Sequence, residues 1–516
     1  MVSSLRLGPE TVASPTRPTV PLQQPSGALP VFPLAPDPIR SAVSRDVEAV
    51  RLTIDPIGPA DGPQIGLVTL GCDKNTVDSE KMMAALVGHG ARVSSDIDCT
   101  DVVVVNTCGF IESAKEQSIE TILEACRLKE EGRVRVVVAV GCMVQRYKDE
   151  LQAEIPEVDL FLGLAEMASL VPELRRGGFL PDSMEGVPTM ERPLRILSTE
   201  TSHTSFLKIS EGCDHTCAFC AIPSFRGLHR SAPLPELVAE AQALVRQGVK
   251  ELNIISQDTT WYGRDLRRKD SSAPLLADLV RALVSDTDVA WLRLFYMYPS
   301  GISREIVELM AREDVVLPYL DMPLQHGSDK MLEAMRRPER QAVIRGRVAW
   351  IREAVPDVTL RTTVIVGFPG ESEDDFSAMI DLLEELRFDR VGAFTYSVED
   401  GTAAADMPDQ IPDSLKRERL ERLMDVQRMI SSERNEALIG RVFRALLDEV
   451  SDDPGPLGAE AEGRPVGIAR TVGQALDVDG VTHVHPFDGL APGQFVTLEV
   501  EDAEEYDLIA RVVEGA

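Results

Sequence analysis

The sequence predicts a multidomain α/β chain: an open parallel α/β domain, then a β/α barrel of full or partial extent, then a small antiparallel β-barrel. Three observations predict it. Apolar, β-branched runs alternate with helical segments over residues 64–175, the alternation resumes over 199–435, and short strand-like runs follow one another over 440–516. Continuous β-branched runs read as strands buried on both faces, and alternation with helices implies a parallel sheet. At 516 residues the chain is long enough for three domains, each with its own core.

Ahead of the first domain, residues 1–60 are rich in proline and lack periodicity ("TVASPTRPTVPLQQPSGALPVFPLAPDPIR"). Such a stretch buries too little surface to offset its chain entropy, so a disordered arm is expected.

The first domain opens with "QIGLVTLGC", an apolar run leading to Cys72, followed by the helical "NTVDSEKMMAALVGHG". "DVVVVNTC" ends at Cys108 and precedes a helix expected over 109–126; "VRVVVAVGC" ends at Cys142. In open parallel sheets the carboxyl ends of the strands share one edge, where ligands bind. One cysteine at such an end is an ordinary core residue. Three at equivalent ends predict a convergent three-cysteine site. Cys99 and Cys126 fit no such pattern and read as packing residues.

After a loop-like stretch around 175–201, strand signals return at "HTSFLKISEGC", "ELNIISQD", "AWLRLFYMYP", "VLPYLDMPLQH", "VTLRTTVIVGFPGE" and "RVGAFTYSVEDG". In a β/α barrel the chemistry sits at the carboxyl ends of the strands. Just past the first of these strands lies "EGCDHTCAFCAIP", with Cys213, Cys217 and Cys220. The helical "DSLKRERLERLMDVQRMISSERNEAL" then leads to the short runs of the terminal barrel.

Composition narrows the class. With 44% hydrophobic and 27% charged residues, and no apolar run of membrane-spanning length, a soluble protein without a membrane partner is expected. The first residues lack the pattern of a secretory signal, so the cytoplasm is the expected compartment. Eight cysteines there point to metal or catalysis rather than disulfides. The net charge of -31 gains little from counterion release on nucleic acid and suits a basic protein partner, so strong nucleic-acid binding is not expected.

The C-x-x-x-C-x-x-C spacing matches neither the paired cysteines of zinc ribbons nor the four-cysteine runs of ferredoxins. Three thiolates on a four-iron cluster leave one iron free to bind a small molecule. The alternative is a zinc site completed by His215 or His229.

With Phe219 just before the third cysteine, the stretch resembles the signature of the radical S-adenosylmethionine (SAM) enzymes. The resemblance implies a 4Fe-4S cluster on Cys213, Cys217 and Cys220, whose open iron SAM chelates through its amino and carboxylate groups. "LGCDKNTVDSE", "NTCGFIESAKEQSIETI" and "VGCMVQR", with the terminal barrel, resemble the methylthiotransferase family. That implies a central partial TIM-type radical SAM barrel and a TRAM-like terminal barrel. It also implies a second, auxiliary 4Fe-4S cluster on Cys72, Cys108 and Cys142, with the transferred sulfur on its open iron.

"CGFIESAKE", "ISQDTTWYGRDL", "YLDMPLQHGSDKMLEAMRRP", "RTTVIVGFPGESEDDF" and "GAFTYSVEDGTAA" resemble the ribosomal-protein branch more than the tRNA branch. The implied reaction is methylthiolation of the β-carbon of an aspartate in small-subunit ribosomal protein twelve, free or in the assembled subunit. An external electron donor and a sulfur source are implied with it. The alternative, a tRNA adenosine methylthiotransferase, is opposed by the terminal barrel: residues 441–516 carry sixteen acidic and five basic residues, 5 − 16 = −11. A two-cluster electron carrier is opposed by three thiolates per site where four are needed.

Lesser candidates follow from position. The helix after Cys108 would turn its positive end toward an anionic cluster, with Lys115 a surface or helix-pair residue. Gln257, Arg361, Gly367 within Val366–Glu371, and Leu324–His326 follow barrel strands and are candidates for the SAM pocket, although Gly-Phe-Pro-Gly also reads as a plain turn. His483 and His485 alternate on an expected strand and carry no expected metal role.

Overall fold

The computed structural model of the chain describes residues 54–181, 194–197, 202–461, 463–489 and 491–513. Residues 1–53, most of the expected arm, lie outside it. The last part of that arm belongs to the fold: Ile54 is buried in the first domain's core, and Ile57 pairs with Val93.

The first domain is a parallel sheet of β1 (Gln64–Thr69), β2 (Arg92–Ser94), β3 (Val102–Thr107), β4 (Val136–Gly141) and β5 (Leu160–Gly163), in the order β2-β1-β3-β4-β5. Its valine runs explain themselves. Successive side chains alternate faces, so Val102 and Val104 join one core and Val103 and Val105 the other. Helices α1 (Asp73–Val87), α2 (Glu112–Glu130), α3 (Cys142–Glu154) and α4 (Leu170–Arg176) complete the domain. In this order the strand sequence reverses between β1 and β3, the position where doubly wound sheets open a ligand crevice.

The second domain is an open six-stranded parallel sheet, so the barrel is partial. Its strands are β6 (Thr204–Lys208), β9 (Glu251–Ile255), β10 (Trp291–Leu294), β11 (Val316–Asp321), β12 (Thr359–Val366) and β13 (Arg390–Thr395), side by side in chain order. A small antiparallel ladder, β7 (Ser210–Glu211) with β8 (Arg230–Ser231), closes the base of the cysteine loop, and α5 (Ile222–Arg226) lies within it.

The third domain is a closed barrel of β14 (Val442–Ser451), β15 (Val466–Thr471), β16 (Thr482–Val484), β17 (Phe495–Ala503) and β18 (Leu508–Val512). It differs from a wholly antiparallel barrel in one pair. β16 and β18 run parallel, because five strands, an odd number, cannot close a ring with every neighbouring pair antiparallel.

The two flanking domains hold opposite ends of the central sheet. At the amino ends, Glu251 receives Arg293 (2.8 Å) and Arg470 (2.5 Å), His203 meets Asp448 (2.8 Å), and Trp291 meets Phe495 edge-on. The first domain covers the carboxyl ends, where Lys208 reaches Asp78 and the Tyr296 hydroxyl donates to Asp73 (3.1 Å). Among the described residues, no helix is long and apolar enough to cross a membrane.

Candidate functional site

Cys72, Cys108 and Cys142 follow β1, β3 and β4, three adjacent strands. Polar side chains tie the three positions together. Asn75 donates to the Leu70 carbonyl (2.8 Å) and the Thr107 carbonyl (3.1 Å), and its Oδ1 faces Cys142 Sγ at 3.6 Å. The Ser118 hydroxyl accepts the Cys108 amide (3.0 Å). Gly71 has φ +96°, and a Cβ there would stand 2.9 Å from Cys108 Sγ, so only glycine leaves room for the neighbouring thiol.

The helix expected immediately after Cys108 begins at Glu112 instead. The helix starts at this site belong to α1, capped by Cys72, and α3, whose first residue is Cys142. The positive ends of these two helices still favour an anion. Lys115 is a helix-pair residue, bonded to Glu112 one turn before it (2.7 Å), and it also reaches Glu399 (3.4 Å) at the seam with the barrel.

Burial, then the neighbouring Cys72 and Cys142, push the Cys108 thiol up to about 12; burial pushes Cys142 to about 11. Crowded, buried thiols keep their protons unless a cationic centre takes them as thiolates. This donor set therefore fits a metal cluster.

Cys213, Cys217 and Cys220 share one loop at the carboxyl end of β6. The Cys213 amide donates to the Gly227 carbonyl (3.0 Å) and the Ala218 amide to the Met335 carbonyl (3.0 Å). Phe219 anchors the loop against the core of Met331, Met335, Phe368 and Tyr396. Burial raises Cys213 to about 11 and Cys220 to about 12, so the donor chemistry is the same here.

The two histidines considered for zinc have other partners. His215 bonds Asp258 (2.7 Å) and stacks on Tyr298 with centroids 4.1 Å apart. His229 Nε2 meets Ser231 (3.1 Å), and burial holds its pKa down. Among the described residues no three His, Cys, Asp or Glu side chains close around a single-ion position. Cluster thiolates sit on separate irons and need no such closure.

The first trio packs on the segment that directly follows the second: Cys142 lies against Ala221 and Phe225. Arg226 donates to Cys142 Sγ (3.2 Å), Asn75 Oδ1 (2.8 Å) and Glu211 (2.7 Å). Lys208 bonds Glu211 as well (2.9 Å); against burial, which raises it, the two cations bring the Glu211 carboxyl down to about 2. On the far side Arg146 donates to the Gly109 carbonyl (3.0 Å) and Glu399 (2.9 Å). Tyr296, at φ +56°, sits in the same cleft beneath Lys74, and a left-handed aromatic at a strand end is strain of the kind that gathers at functional sites.

The pocket candidates divide. Gln257 is half-buried one residue before Asp258, at the mouth. Gly367, at φ +73°, donates to Glu371 (2.9 Å) and packs under Lys416. Arg361 is not at a strand end: it is the third residue of β12, inside the barrel, and bonds Asp321 (3.0 Å). His326 is fully buried against Glu371 (3.1 Å), which also holds Arg419 (2.6 Å). His483 and His485 face Asp507 (3.5 Å) and Glu501 (3.4 Å), far from either trio in the fold. Asn75 and Ser118 lie inside the stretches "LGCDKNTVDSE" and "NTCGFIESAKEQSIETI", Tyr298 inside "AWLRLFYMYP" and Arg226 inside "EGCDHTCAFCAIPSFRG", but spacing singles out the cysteines there and not these four.

Comparison with known proteins agrees with this layout. Residues 64–163 match the family model described as uncharacterized protein family UPF0004, residues 207–383 the radical SAM superfamily, and residues 439–513 the TRAM domain. The ribosomal protein uS12 methylthiotransferase RimO of Anaeromyxobacter sp. (strain Fw109-5) is 45% identical over 454 residues, covering 87% of this chain and 93% of that protein. Its namesake from Myxococcus xanthus (strain DK1622) is 43% identical, covering 87% and 91%. Among solved structures, the radical SAM methyltransferase TsrM from Kitasatospora setae with cobalamin and a 4Fe-4S cluster bound has a TM-score of 0.45 at 15% identity, covering 65% of this chain and 75% of that one.

Proposed function

The chain belongs to the RimO family of radical SAM methylthiotransferases, and from that footing we propose that it places a methylthio group on the β-carbon of an aspartate in ribosomal protein uS12. The observation that carries the reading is the packing of Cys142, in one three-cysteine site, against the segment that follows Cys220 in the other. Cys213, Cys217 and Cys220 would hold the cluster that binds SAM; Cys72, Cys108 and Cys142 would hold the auxiliary one.

When bound, the clusters and SAM supply hydrogen-atom abstraction and sulfur transfer, which acid–base side chains cannot replace because the β-hydrogen of a carboxylate is far too weak an acid. The protein's share is placement. Gly71 and Ser118 fix Cys108, Asn75 fixes the approach to Cys142, and Phe219 holds the SAM-side loop. Gln257, Gly367 and the stacked His215–Tyr298 pair would shape the SAM pocket. Cys108 and Cys142 are buried whereas Cys72 is exposed, so the auxiliary site is dry inside and open on one flank. Substrate would reach it from that flank.

An acidic chain of net charge -31 suits a basic ribosomal protein, and the cytoplasm is where that partner resides. An external electron donor and a sulfur source complete the requirements. The test offers anaerobically reconstituted enzyme, SAM, a reductant and sulfide both a uS12 loop peptide and bulk tRNA, read by mass spectrometry. A methylthio gain on the peptide's aspartate is expected. A gain on tRNA instead would overturn the substrate assignment.

A further inference from the structure

Arg226 lies in neither cysteine trio, yet it touches the surroundings of both. It is carried by α5, a few residues beyond Cys220, and its side chain is 1% exposed. One guanidinium nitrogen bonds Glu211 (2.7 Å), two residues before Cys213. The other bonds Cys142 Sγ (3.2 Å) and Asn75 Oδ1 (2.8 Å) in the first domain. The loop of the SAM trio is thus pinned across its base by the same group that grips the auxiliary trio.

Charge gives the arrangement a reason. Asp78, Lys208, Glu211 and Arg226 form a chain of two anions and two cations, already balanced without the thiols. A balanced buried chain is no more stable than well-packed apolar residues. A cation directed at a sulfur changes that comparison, because a cluster on three thiolates adds negative charge where Arg226 points. Hydrogen bonds to cluster sulfurs and local charge set the reduction potential of such centres.

We infer that Arg226 is a positioning residue shared by the two sites, holding Cys142 at a fixed place against the SAM loop and supplying the positive charge that faces the auxiliary cluster. The inference rests on the reading that Cys72, Cys108 and Cys142 hold a cluster. The two terminal guanidinium nitrogens divide the work, one toward Glu211 and the other toward Cys142 and Asn75, and the positive charge they carry is the part a lysine would keep.

The test is an EPR-monitored reductive titration of the full chain carrying Cys213→Ala, Cys217→Ala and Cys220→Ala, so that only the auxiliary trio can hold iron. Into this background go Arg226→Met, which removes the charge, and Arg226→Lys, which keeps it. Arg226→Met is expected to lower the potential by at least a tenfold change in the reduction equilibrium, about 59 mV for a one-electron couple, with Arg226→Lys close to the parent. Loss of iron from Arg226→Met alone supports the inference equally. An unchanged potential in Arg226→Met, or loss of iron from both variants, overturns it while leaving the cluster assignment standing. A parent that binds no iron removes the cluster assignment, and this inference with it.

Discussion

The two cysteine trios present the same donor set by opposite construction. Cys213, Cys217 and Cys220 come from one short loop, closed at its base by the β7–β8 ladder and seated on barrel side chains through Phe219. Cys72, Cys108 and Cys142 come from three separate strands, and nothing local brings them together. Their geometry is a property of the sheet, of Gly71, and of the Asn75 and Ser118 bonds. A loop site is therefore expected to assemble when its own domain folds. A sheet-edge site requires the whole first domain in register.

Breaking either trio gives the largest expected effects and separates the two roles. Cys213→Ala, Cys217→Ala and Cys220→Ala together should abolish cleavage of SAM to deoxyadenosine. The matching change at Cys72, Cys108 and Cys142 should leave that cleavage running while methylthio product falls to background. Chromatography of deoxyadenosine beside mass spectrometry of the peptide checks both; product from the second variant would break the division of labour.

Gly71→Ala comes next. The added Cβ meets Cys108 Sγ at 2.9 Å on a backbone of φ +96°, so about 1–3 kcal/mol of stability should be lost. Iron should leave the auxiliary trio and not the SAM trio. Iron analysis and thermal unfolding of the one variant report both, and equal loss from the two sites would contradict the comparison.

Ser118→Ala should cost about 1–3 kcal/mol, the penalty of leaving the buried Cys108 amide without a partner. Its signature is faster bleaching of the auxiliary cluster in air, with deoxyadenosine formation unchanged. Asp258→Asn should give the smallest effect. It weakens the hold on His215 by about 0.5–1.5 kcal/mol, and the outcome to measure is a modest rise in the SAM concentration needed for half-maximal cleavage, with auxiliary iron intact.

The sequence disclosed the parts of this comparison unevenly, for physical reasons. "DVVVVNTC" betrays a strand buried on both faces, so the strand-end positions of Cys108 and Cys142 were legible without a structure. The loop trio was legible from spacing alone. Arg226 was not, because its bond to Asn75 joins residues 151 positions apart and depends on how two domains dock. From sequence His215 reads only as a possible zinc ligand; its stacking partner Tyr298 comes from a different barrel strand. Arg361 reads as a strand-end residue from sequence, whereas β12 continues past it to Val366. The parallel β16–β18 pair escaped notice since alternation reveals strands and not their partners. Acidic character in the terminal barrel was plain from counting, whereas its seat on the amino ends of the central sheet, away from both trios, needed the contacts of Arg470 and Glu251.

The central claim is that each trio holds its own four-iron cluster with one iron left open. Iron and acid-labile sulfide per chain, determined on the reconstituted enzyme and on the two triple-alanine variants, address it most directly. About eight irons are expected in the intact protein and about four in each variant, with sulfide in equal amount. A variant retaining only Cys72, Cys108 and Cys142 that binds no sulfide, or a single metal ion in place of a cluster, would contradict it.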